Sequence, residues 1–214
     1  MRRVVEERRA AAGLSHAVRI IAVTKSHGVE AVEAALRAGL DAVGENRVQE
    51  ALAKMALAPQ GVEWHLIGTL QRNKARQAVG HFALIHSVDR LELAAELARR
   101  APAGFRQAVL VQVNCSDEPQ KGGVSPVELP RLLDELQALP ALDVRGLMTM
   151  AAFDVDEGTQ RGTFALLRSL RDAAELRGHR LPELSMGMSG DYPAAVSEGA
   201  TMLRLGTVLF GDRA

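Results

Sequence analysis

The chain has 214 residues, of which 47% are hydrophobic, so it can bury one sizeable core. Lysine and arginine total 26, as do aspartate and glutamate, so no net charge draws the protein to nucleic acid or to an anionic membrane. The single cysteine, Cys115, excludes an intramolecular disulfide, and no apolar run approaches the roughly twenty residues that span a bilayer. No signal-peptide pattern opens the chain, so we expect a cytoplasmic protein with one domain over residues 1–214.

Apolar runs and helical patterns alternate along the chain after a first helical segment at residues 3–12. Apolar residues at three- and four-residue spacing predict helices, for example at 29–38 and 127–139. Asp89 is the expected N-cap of a helix that runs to Arg100, and Gly39 is the expected C-cap of helix 29–38. Short runs rich in Val, Ile and Leu predict strands at residues 20–25, 42–45, 64–68, 83–88, 108–115, 142–150, 183–188 and 202–210.

Strands that are apolar almost throughout, each followed by a helix, indicate a parallel sheet covered by helices. Eight such strands favour a closed barrel. The alternative, an open doubly wound sheet, lacks a GxGxxG motif at its first strand-to-helix turn. The last strand runs almost to Gly211, so we expect no helix after it and expect the segment 3–12 to supply the missing cover. The predicted fold class is α/β, a single (β/α)8 TIM-type barrel with an extra N-terminal helix.

Lys25 is the candidate for covalent chemistry at the mouth of this barrel. Functional groups gather at the carboxyl ends of barrel strands, and Lys25 ends the apolar run from Ile20 to Thr24. An apolar wall lowers the pKa of a lysine and so favours the free amine, which attacks an aldehyde to form a Schiff base. The alternative is a charge that only marks the end of the strand.

The candidate anion site lies in the loops after the last two strands, where such barrels often bind phosphate. In residues 185–191, glycine N–H groups, the Ser189 hydroxyl and a helix N-terminus can bind an anion, with ordinary helix capping as the alternative. Arg204 shares a strand face with Gly206 and needs an acceptor, either a ligand atom or a structural carboxylate. Asn46, at the end of the second strand, either caps its own helix or faces a ligand.

These motifs, taken in chain order, resemble the family of pyridoxal 5′-phosphate (PLP) homeostasis proteins, whose fold is similar to the N-terminal barrel domain of alanine racemase. The chain departs from the usual family pattern at Ser26-His27-Gly28, where a threonine, a basic residue and proline are usual, and at Thr69, where proline is usual. The resemblance covers almost the whole chain and rests on Ala22-Val23-Thr24-Lys25, Gly44-Glu45-Asn46-Arg47-Val48-Gln49-Glu50, Trp64-His65-Leu66-Ile67-Gly68, Leu70-Gln71-Arg72-Asn73-Lys74, His86-Ser87-Val88-Asp89, Arg145-Gly146-Leu147-Met148, Gly187-Met188-Ser189 and Arg204-Leu205-Gly206-Thr207.

The resemblance implies a cofactor and the residues that hold it. PLP is the implied cofactor, bound covalently as an internal aldimine with Lys25. Arg204 matches the family residue that faces the pyridine nitrogen, and Asn46 matches a position in the cofactor pocket. The family also implies a role in intracellular PLP homeostasis, with PLP-dependent apo-enzymes as candidate partners. The positions that match the family's phosphate-binding residues are Ser189, Gly206 and Thr207.

We expect the protein to hold PLP with little or no amino-acid turnover, and we assign no catalytic residue. Racemisation needs a base on each face of the cofactor, and Lys25 can serve only one. Related racemases take the second base, a tyrosine, from a C-terminal domain of a partner subunit that this sequence does not reach, and Tyr192 is poorly placed to replace it. Arg204 would be a poor proton donor to the pyridine nitrogen. A PLP-dependent racemase and a Schiff-base aldolase are the alternatives.

The remaining charged patterns predict no further ligand. The histidines lack a tight metal-ligand spacing, and the faintly calcium-like run from Asp154 to Glu157 fails beyond those residues, so we expect no metal. His65 is expected to pack inside its strand. The basic cluster at residues 72–76 lacks aromatic neighbours and is expected to be a solvated helix face rather than an RNA site. We expect a monomer or weak dimer that binds neither nucleic acid nor membrane.

Overall fold

A computed structural model describes residues 1–116, 118, 121–152 and 155–211. Asp154, from the acidic run considered as a calcium loop, lies outside the described residues. Within them, no cluster of three or more His, Cys, Asp or Glu side chains is arranged to hold a metal ion. No helix of the described chain combines the length and apolarity that crossing a membrane requires.

Eight parallel strands form a closed barrel in chain order, which confirms the predicted fold class. Each strand pairs with the next, and the ring closes where β1 pairs with β8, with Ala22 opposite Leu205. The strands are β1 (Arg19–Val23), β2 (Ala42–Glu45), β3 (Glu63–Leu66), β4 (Leu84–Val88), β5 (Gln107–Gln112), β6 (Leu142–Met148), β7 (Glu183–Ser185) and β8 (Met202–Leu205).

Helices follow the strands and cover the outside of the barrel, as a right-handed crossover between parallel strands requires. A 3₁₀ turn at Arg72–Lys74 leads into the fourth helix. The described helices are α1 (Arg2–Ala11), α2 (Val29–Arg37), α3 (Val48–Met55), α4 (Ala75–Ala78), α5 (Leu91–Arg100), α6 (Leu129–Gln137), α7 (Glu157–Leu176), α8 (Tyr192–Ser197) and α9 (Thr207–Phe210).

The N-terminal helix α1 covers the barrel where its two ends meet, as the sequence pattern predicts. It packs against α8, and Val5 is buried in the core beneath it. Nη2 of Arg2 donates a hydrogen bond of 2.9 Å to the carbonyl oxygen of Ala38 at the end of α2. Arg8 forms an ion pair of 3.0 Å with Glu157 at the start of α7. The first helix therefore completes the outer layer beside the last full strand-helix unit.

The apolar core has two parts, one on each side of the sheet. The larger part lies between the strands and the covering helices and includes Phe164 and Leu184. Because side chains alternate across a strand, the second part fills the interior of the barrel with one residue from each of six strands. That interior cluster consists of Ile21, Ala42, Leu84, Leu110, Met148 and Met202.

Several strands, including β1, β5, β6 and β7, end earlier than their apolar runs predict. Single hydrogen bonds between neighbouring segments continue past the strand ends, such as the one from the N–H of Met186 to the carbonyl oxygen of Met202 at 3.1 Å, and apolar side chains remain buried there. Met186, beyond the end of β7, is completely buried, and Ala151, beyond the end of β6, is only 1% exposed. Hydrophobicity therefore predicts the burial of these residues correctly but overestimates the length of the strands.

A one-turn helix, α9, follows β8, so the expectation that no helix follows the last strand was wrong. The strand ends at Leu205 because the N–H groups of Gly206 and Val208 donate to the hydroxyl of Ser189, each at 3.2 Å, rather than to a neighbouring strand. The carbonyl oxygen of Gly206 then accepts from the N–H of Phe210 at 3.0 Å, which closes the helical turn.

The two predicted helix caps lie one residue from the observed ones. Arg90 is the N-cap of α5, and the side chain of Asp89 instead accepts a hydrogen bond from the Arg90 guanidinium. Ala38 is the C-cap of α2, and Gly39 follows it with a φ of +72°, the left-handed conformation that commonly ends a helix. Residue type indicates the region of a cap, whereas the backbone angles determine which residue occupies it.

Gly187, in the loop after β7, occupies a position that tolerates no side chain. Its φ is +96°, and a Cβ would lie 2.6 Å from Cβ of Ala195 and 2.8 Å from Cδ2 of Leu203. We expect Gly187→Ala to lower the free energy of unfolding by about 3 kcal/mol through backbone strain and overpacking. The control is Gly190→Ala in the same loop, where a Cβ would meet no heavy atom within 4 Å. Urea unfolding of the two variants measures the difference, and equal losses of stability would contradict the prediction.

Candidate functional site at the mouth of the barrel

Lys25 lies at the carboxyl-terminal mouth of the barrel, partly buried in the turn that follows β1. Because β1 sits between β8 and β2, the segments after those two strands flank this turn. A Cβ built on Gly206 would lie 3.5 Å from the carbonyl oxygen of Val23. The chain leaving β8 therefore passes within van der Waals distance of the backbone that leads to Lys25.

The turn after Lys25 has an unusual backbone and packs against α9. Ser26 has a φ of +64°, and it is the one described non-glycine residue with a positive φ. The ring of His27 lies 5.4 Å from the ring of Phe210 in α9. The stretch where the chain departs from the family pattern thus contacts the helix that begins at Thr207, one of the predicted anion-binding residues.

The three predicted phosphate-binding residues lie together on the rim. Oγ of Ser189 accepts hydrogen bonds of 3.2 Å from the N–H groups of Gly206 and Val208. Thr207 begins α9 and is exposed to solvent. One oxygen atom therefore already accepts from two backbone donors at this point of the rim, and Thr207 lies between these two donors in the sequence.

Asp191 stabilises the loop that carries Ser189. Its carboxylate is buried and accepts a hydrogen bond from the N–H of Met188, so it bonds back into the loop and makes no side-chain cap for α8. Burial raises the pKa of Asp191, while its hydrogen bond with Met188 and the charge of Arg204 act in the opposite direction. The Asp191 carboxylate therefore does not make the ordinary helix cap that was considered for this segment.

Arg204 lies inside the barrel and is only 4% exposed. Nη1 donates to Oγ of Ser185 at 2.7 Å, and Nη2 donates to the carbonyl oxygen of Thr149 at 2.8 Å. Burial lowers the pKa of Arg204 to about 10, and the negative charge of Asp191 partly offsets this effect. The direct acceptors are thus a hydroxyl and a carbonyl oxygen rather than the structural carboxylate that the sequence left open.

Asn46 follows β2 at the same rim and is partly buried. It does not cap α3, because the N-cap is Arg47 and no side-chain bond is made there. Its backbone passes so close to Gly68 that a Cβ on that glycine would lie 2.3 Å from the Asn46 carbonyl oxygen. The capping role is therefore excluded, and the ligand-facing role of Asn46, beyond the end of the strand next to β1, stays a prediction.

A buried ion pair that sequence reasoning did not assign anchors the end of β1 from the helix side. Nζ of Lys54 lies 2.5 Å from Oε1 of Glu45 and donates to the carbonyl oxygen of Thr24 at 2.7 Å, and the hydroxyl of Thr24 donates to the same Oε1 at 2.6 Å. Glu45 is fully buried, and its Oε2 has no hydrogen-bond partner among the described residues. The charged network therefore fixes the residue immediately before Lys25.

Removing one partner of this ion pair should be costly because the other charge stays buried. We expect Lys54→Ala to lower the free energy of unfolding by about 3–5 kcal/mol. The double variant Lys54→Met/Glu45→Leu should regain much of that loss, because it leaves no buried charge. Arg131→Ala, which removes an exposed pair with Glu135, is the control and should cost less than about 1 kcal/mol. The prediction fails if urea unfolding gives equal values for Lys54→Ala and the double variant.

A second group of polar residues, also not assigned to the site from the sequence, lies in the barrel interior beneath Arg204. His65 is packed inside its strand as expected, yet its ring also bonds to two neighbours. A polar residue at an inward position of an apolar strand was the available signal. Which inward-pointing polar residues contact one another depends on the stagger of the strands, and the sequence pattern does not provide that stagger. The group consists of Glu63, His65, His86 and Ser185.

Glu63 gives a prediction about stability in acid. Hydrogen bonds from His65, and then from Arg19, lower the pKa of Glu63 from 4.5 to about 2, against the opposing effect of burial. A carboxyl group with a lowered pKa in the folded state contributes stability above its unfolded pKa and loses it as the pH falls. We expect the stability difference between wild type and Glu63→Gln to shrink as the pH falls from 4.5 to about 2. Urea unfolding across this range measures it, and a constant difference would contradict the assignment.

Comparison with known proteins places this barrel in a family. The model of the alanine racemase N-terminal domain family matches residues 3–214. The alanine racemase of Clostridium difficile has the same fold, with a TM-score of 0.78 and 18% identity, over 99% of this chain and 56% of that one. The chain is thus a barrel of the alanine racemase N-terminal class.

Closer relatives narrow the assignment. The pyridoxal phosphate homeostasis protein of Synechocystis is 45% identical over 94% of each chain. PipY of Synechococcus elongatus, solved with PLP bound, is 42% identical with a TM-score of 0.85, over 97% of this chain and 100% of that one. The chain belongs to the family of pyridoxal phosphate homeostasis proteins, which confirms the family resemblance of its motifs.

Proposed function

We propose that this protein binds PLP at the mouth of its barrel, linked as a Schiff base to Lys25, and holds the cofactor in a homeostatic role with little or no turnover. The observation that carries the proposal is the contact between the backbone leading to Lys25 and the Gly206 segment, whose N–H group bonds to Ser189. The names of the relatives and the PLP-bound structure of PipY support it.

The residues on the rim fit the chemical groups of this cofactor. PLP, when bound, supplies an aldehyde that condenses with an amine with loss of water, together with a phosphate group and a pyridine nitrogen. The proposed phosphate ligands are the Ser189 hydroxyl and the Gly206 and Thr207 residues beside it. Backbone donors that already converge on one oxygen atom suit the oxygens of a phosphate.

Among the lysines, Lys25 is the best candidate for the reactive amine. Lys54, the other lysine near the end of β1, is held by Glu45 and by the carbonyl oxygen of Thr24. These two bonds tie Nζ of Lys54 to its partners on the helix side of the sheet, which is a poor position from which to attack an aldehyde at the mouth of the barrel. The same network holds the backbone before Lys25 in place, so Lys54 acts as a support and Lys25 as the proposed attachment point.

Arg204 and Asn46 complete the proposed pocket. The guanidinium of Arg204 has five N–H donors, of which two bond to Ser185 and Thr149, and we assign it to the pyridine nitrogen. With a pKa of about 10, Arg204 stays positively charged at neutral pH and is a poor proton donor to that nitrogen. The ring would then be a weak electron sink, which favours holding PLP over using it in catalysis.

The position of Tyr192 also favours a carrier over a racemase. A racemase needs a second base on the cofactor face opposite the lysine. Tyr192, the one tyrosine of the sequence, begins α8 and packs against the core between sheet and helices, away from the barrel interior. PLP-dependent apo-enzymes are the proposed recipients of the cofactor, and we propose a monomer or weak dimer as the working form.

Lys25→Ala tests the attachment point. We expect it to abolish the Schiff-base absorbance and the hydride-reducible adduct that wild-type protein forms with PLP, because it removes the amine proposed to attack the aldehyde. Lys74→Ala, which removes the lysine at the end of the 3₁₀ turn before α4, is the matched control and should leave both signals unchanged. If colour and adduct survive in Lys25→Ala, the assignment of the lysine is wrong.

Incubation of the PLP-loaded wild type with alanine or serine separates the carrier from its alternatives. Racemisation at ordinary enzymatic rates would overturn the carrier role in favour of a PLP-dependent racemase. Absence of the Schiff-base band in the wild type after addition of PLP, together with cleavage of a sugar phosphate, would favour an aldolase that uses Lys25.

A further inference from the structure

A continuous line of hydrogen bonds crosses the interior of the barrel from Arg204 to Glu63. Arg204 Nη1 lies 2.7 Å from Oγ of Ser185, and the same Oγ lies 2.9 Å from Nδ1 of His86. Nε2 of His86 lies 2.9 Å from Nδ1 of His65, whose Nε2 lies 3.0 Å from Oε1 of Glu63. The proposed function uses only Arg204, so the other four residues need an explanation of their own.

The two ends of this line determine the position of every proton between them. A guanidinium can only donate and an ionised carboxylate can only accept. If His65 donates from Nε2 to Glu63 and is neutral, its Nδ1 must accept from Nε2 of His86. Nδ1 of His86 then accepts the hydroxyl proton of Ser185, whose oxygen accepts from Arg204. Every group is satisfied, and each histidine has one defined tautomer with its proton on Nε2.

The opposite arrangement is less favourable. If His65 carried two protons, it would donate to both Glu63 and His86, and His86 would have to donate to Ser185. Oγ of Ser185 would then accept from both His86 and Arg204, and its own proton would lose His86 as an acceptor. A buried hydroxyl without an acceptor costs free energy, and a further cation would stand in an interior that already contains Arg204.

Burial supports the neutral form of the central histidine. His86 is fully buried, and desolvation, followed by the electrostatic effects of His65 and Arg204, lowers its pKa well below the ordinary value of 6.5. Glu63 is ionised above a pH of about 2, so the line has an acceptor at its lower end at neutral pH. Arg19 bonds to the same carboxylate at 2.7 Å and holds it in place.

We propose that Glu63, His65, His86 and Ser185 form a hydrogen-bond relay of fixed direction that positions the guanidinium of Arg204 at the mouth of the barrel. The relay holds Nη1, and the carbonyl oxygen of Thr149 holds Nη2, so the plane of the guanidinium is set by two fixed acceptors. His65, His86 and Ser185 are positioning residues, which act on the cofactor only through Arg204. This assignment rests on the proposed function only for the identity of the ligand that Arg204 faces.

The relay predicts where the protons lie on both histidine rings of the PLP-free protein, and nitrogen NMR of those rings can test this. In the wild type at neutral pH, His65 and His86 should both be neutral with the proton on Nε2. Ser185→Ala should move the Nδ1 resonance of His86 downfield, because that nitrogen loses its donor. The control is Ser87→Ala on the same strand as His86, which removes a buried hydroxyl bonded at 2.7 Å to the carbonyl oxygen of Gly68 and should leave both histidines unchanged.

A PLP titration gives the second readout. Ser185→Ala should raise the dissociation constant for PLP about tenfold, the effect of one lost hydrogen bond to a charged group, while Ser87→Ala should leave it within about twofold. A doubly protonated His65, Nδ1 protons on either ring, or equal spectral changes in the two variants would overturn the relay. The wild-type spectrum alone tests the tautomers if Ser185→Ala does not fold. Failure of the wild type to bind PLP would contradict the proposed function and leave the relay to be judged on the PLP-free spectra.

Discussion

Hydrogen bonding between the first and last strands is the interaction on which the rest of this molecule depends. Lys25 and Ser189 are far apart in the sequence, and neither carries a site alone. Pairing of β1 with β8 brings the segments after those strands into contact, and pairing of β7 with β8 adds the serine loop. A site made of the two ends of the chain therefore exists only when the sheet is a ring. An open sheet with the same strands would leave the lysine at one edge and the anion-binding residues at the other.

Ring closure also places charged groups where water cannot solvate them. The groups that replace this lost hydration differ between the two sides of the sheet. Outside the ring, Lys54 neutralises Glu45 directly, and the pair fixes the end of β1. Inside the ring, Arg204 is linked to Glu63 only through the side chains of Ser185, His86 and His65. Burying a charge is tolerable only when hydrogen bonds replace its hydration. In both arrangements, the hydrogen bonds that stabilise the buried charge also hold a residue at the mouth of the barrel in a fixed position.

Much of the fold and part of the site could be predicted from the sequence. The features that could not be predicted, the partners of Arg204 and the helix after β8, have physical explanations. Apolar runs alternating with helical patterns predicted the closed barrel, and Lys25 stood out because a charge ended such a run. The partners of Arg204 were not predicted, because they come from strands whose relative stagger only the folded ring determines. The helix after β8 was missed because Gly206 forms its hydrogen bond with a serine side chain, a competitor to the strand ladder that residue patterns do not reveal.

The N-terminal helix has a consequence for the kinetics of folding. Its main packing partner, α8, lies more than 180 residues further along the chain, so the apolar face around Val5 lacks that cover until the eighth helix has formed. Contacts between such distant segments are slow to form, and exposed apolar surface favours aggregation in the meantime. The contact between α1 and α8 is therefore expected to be one of the slower steps in the folding of the barrel.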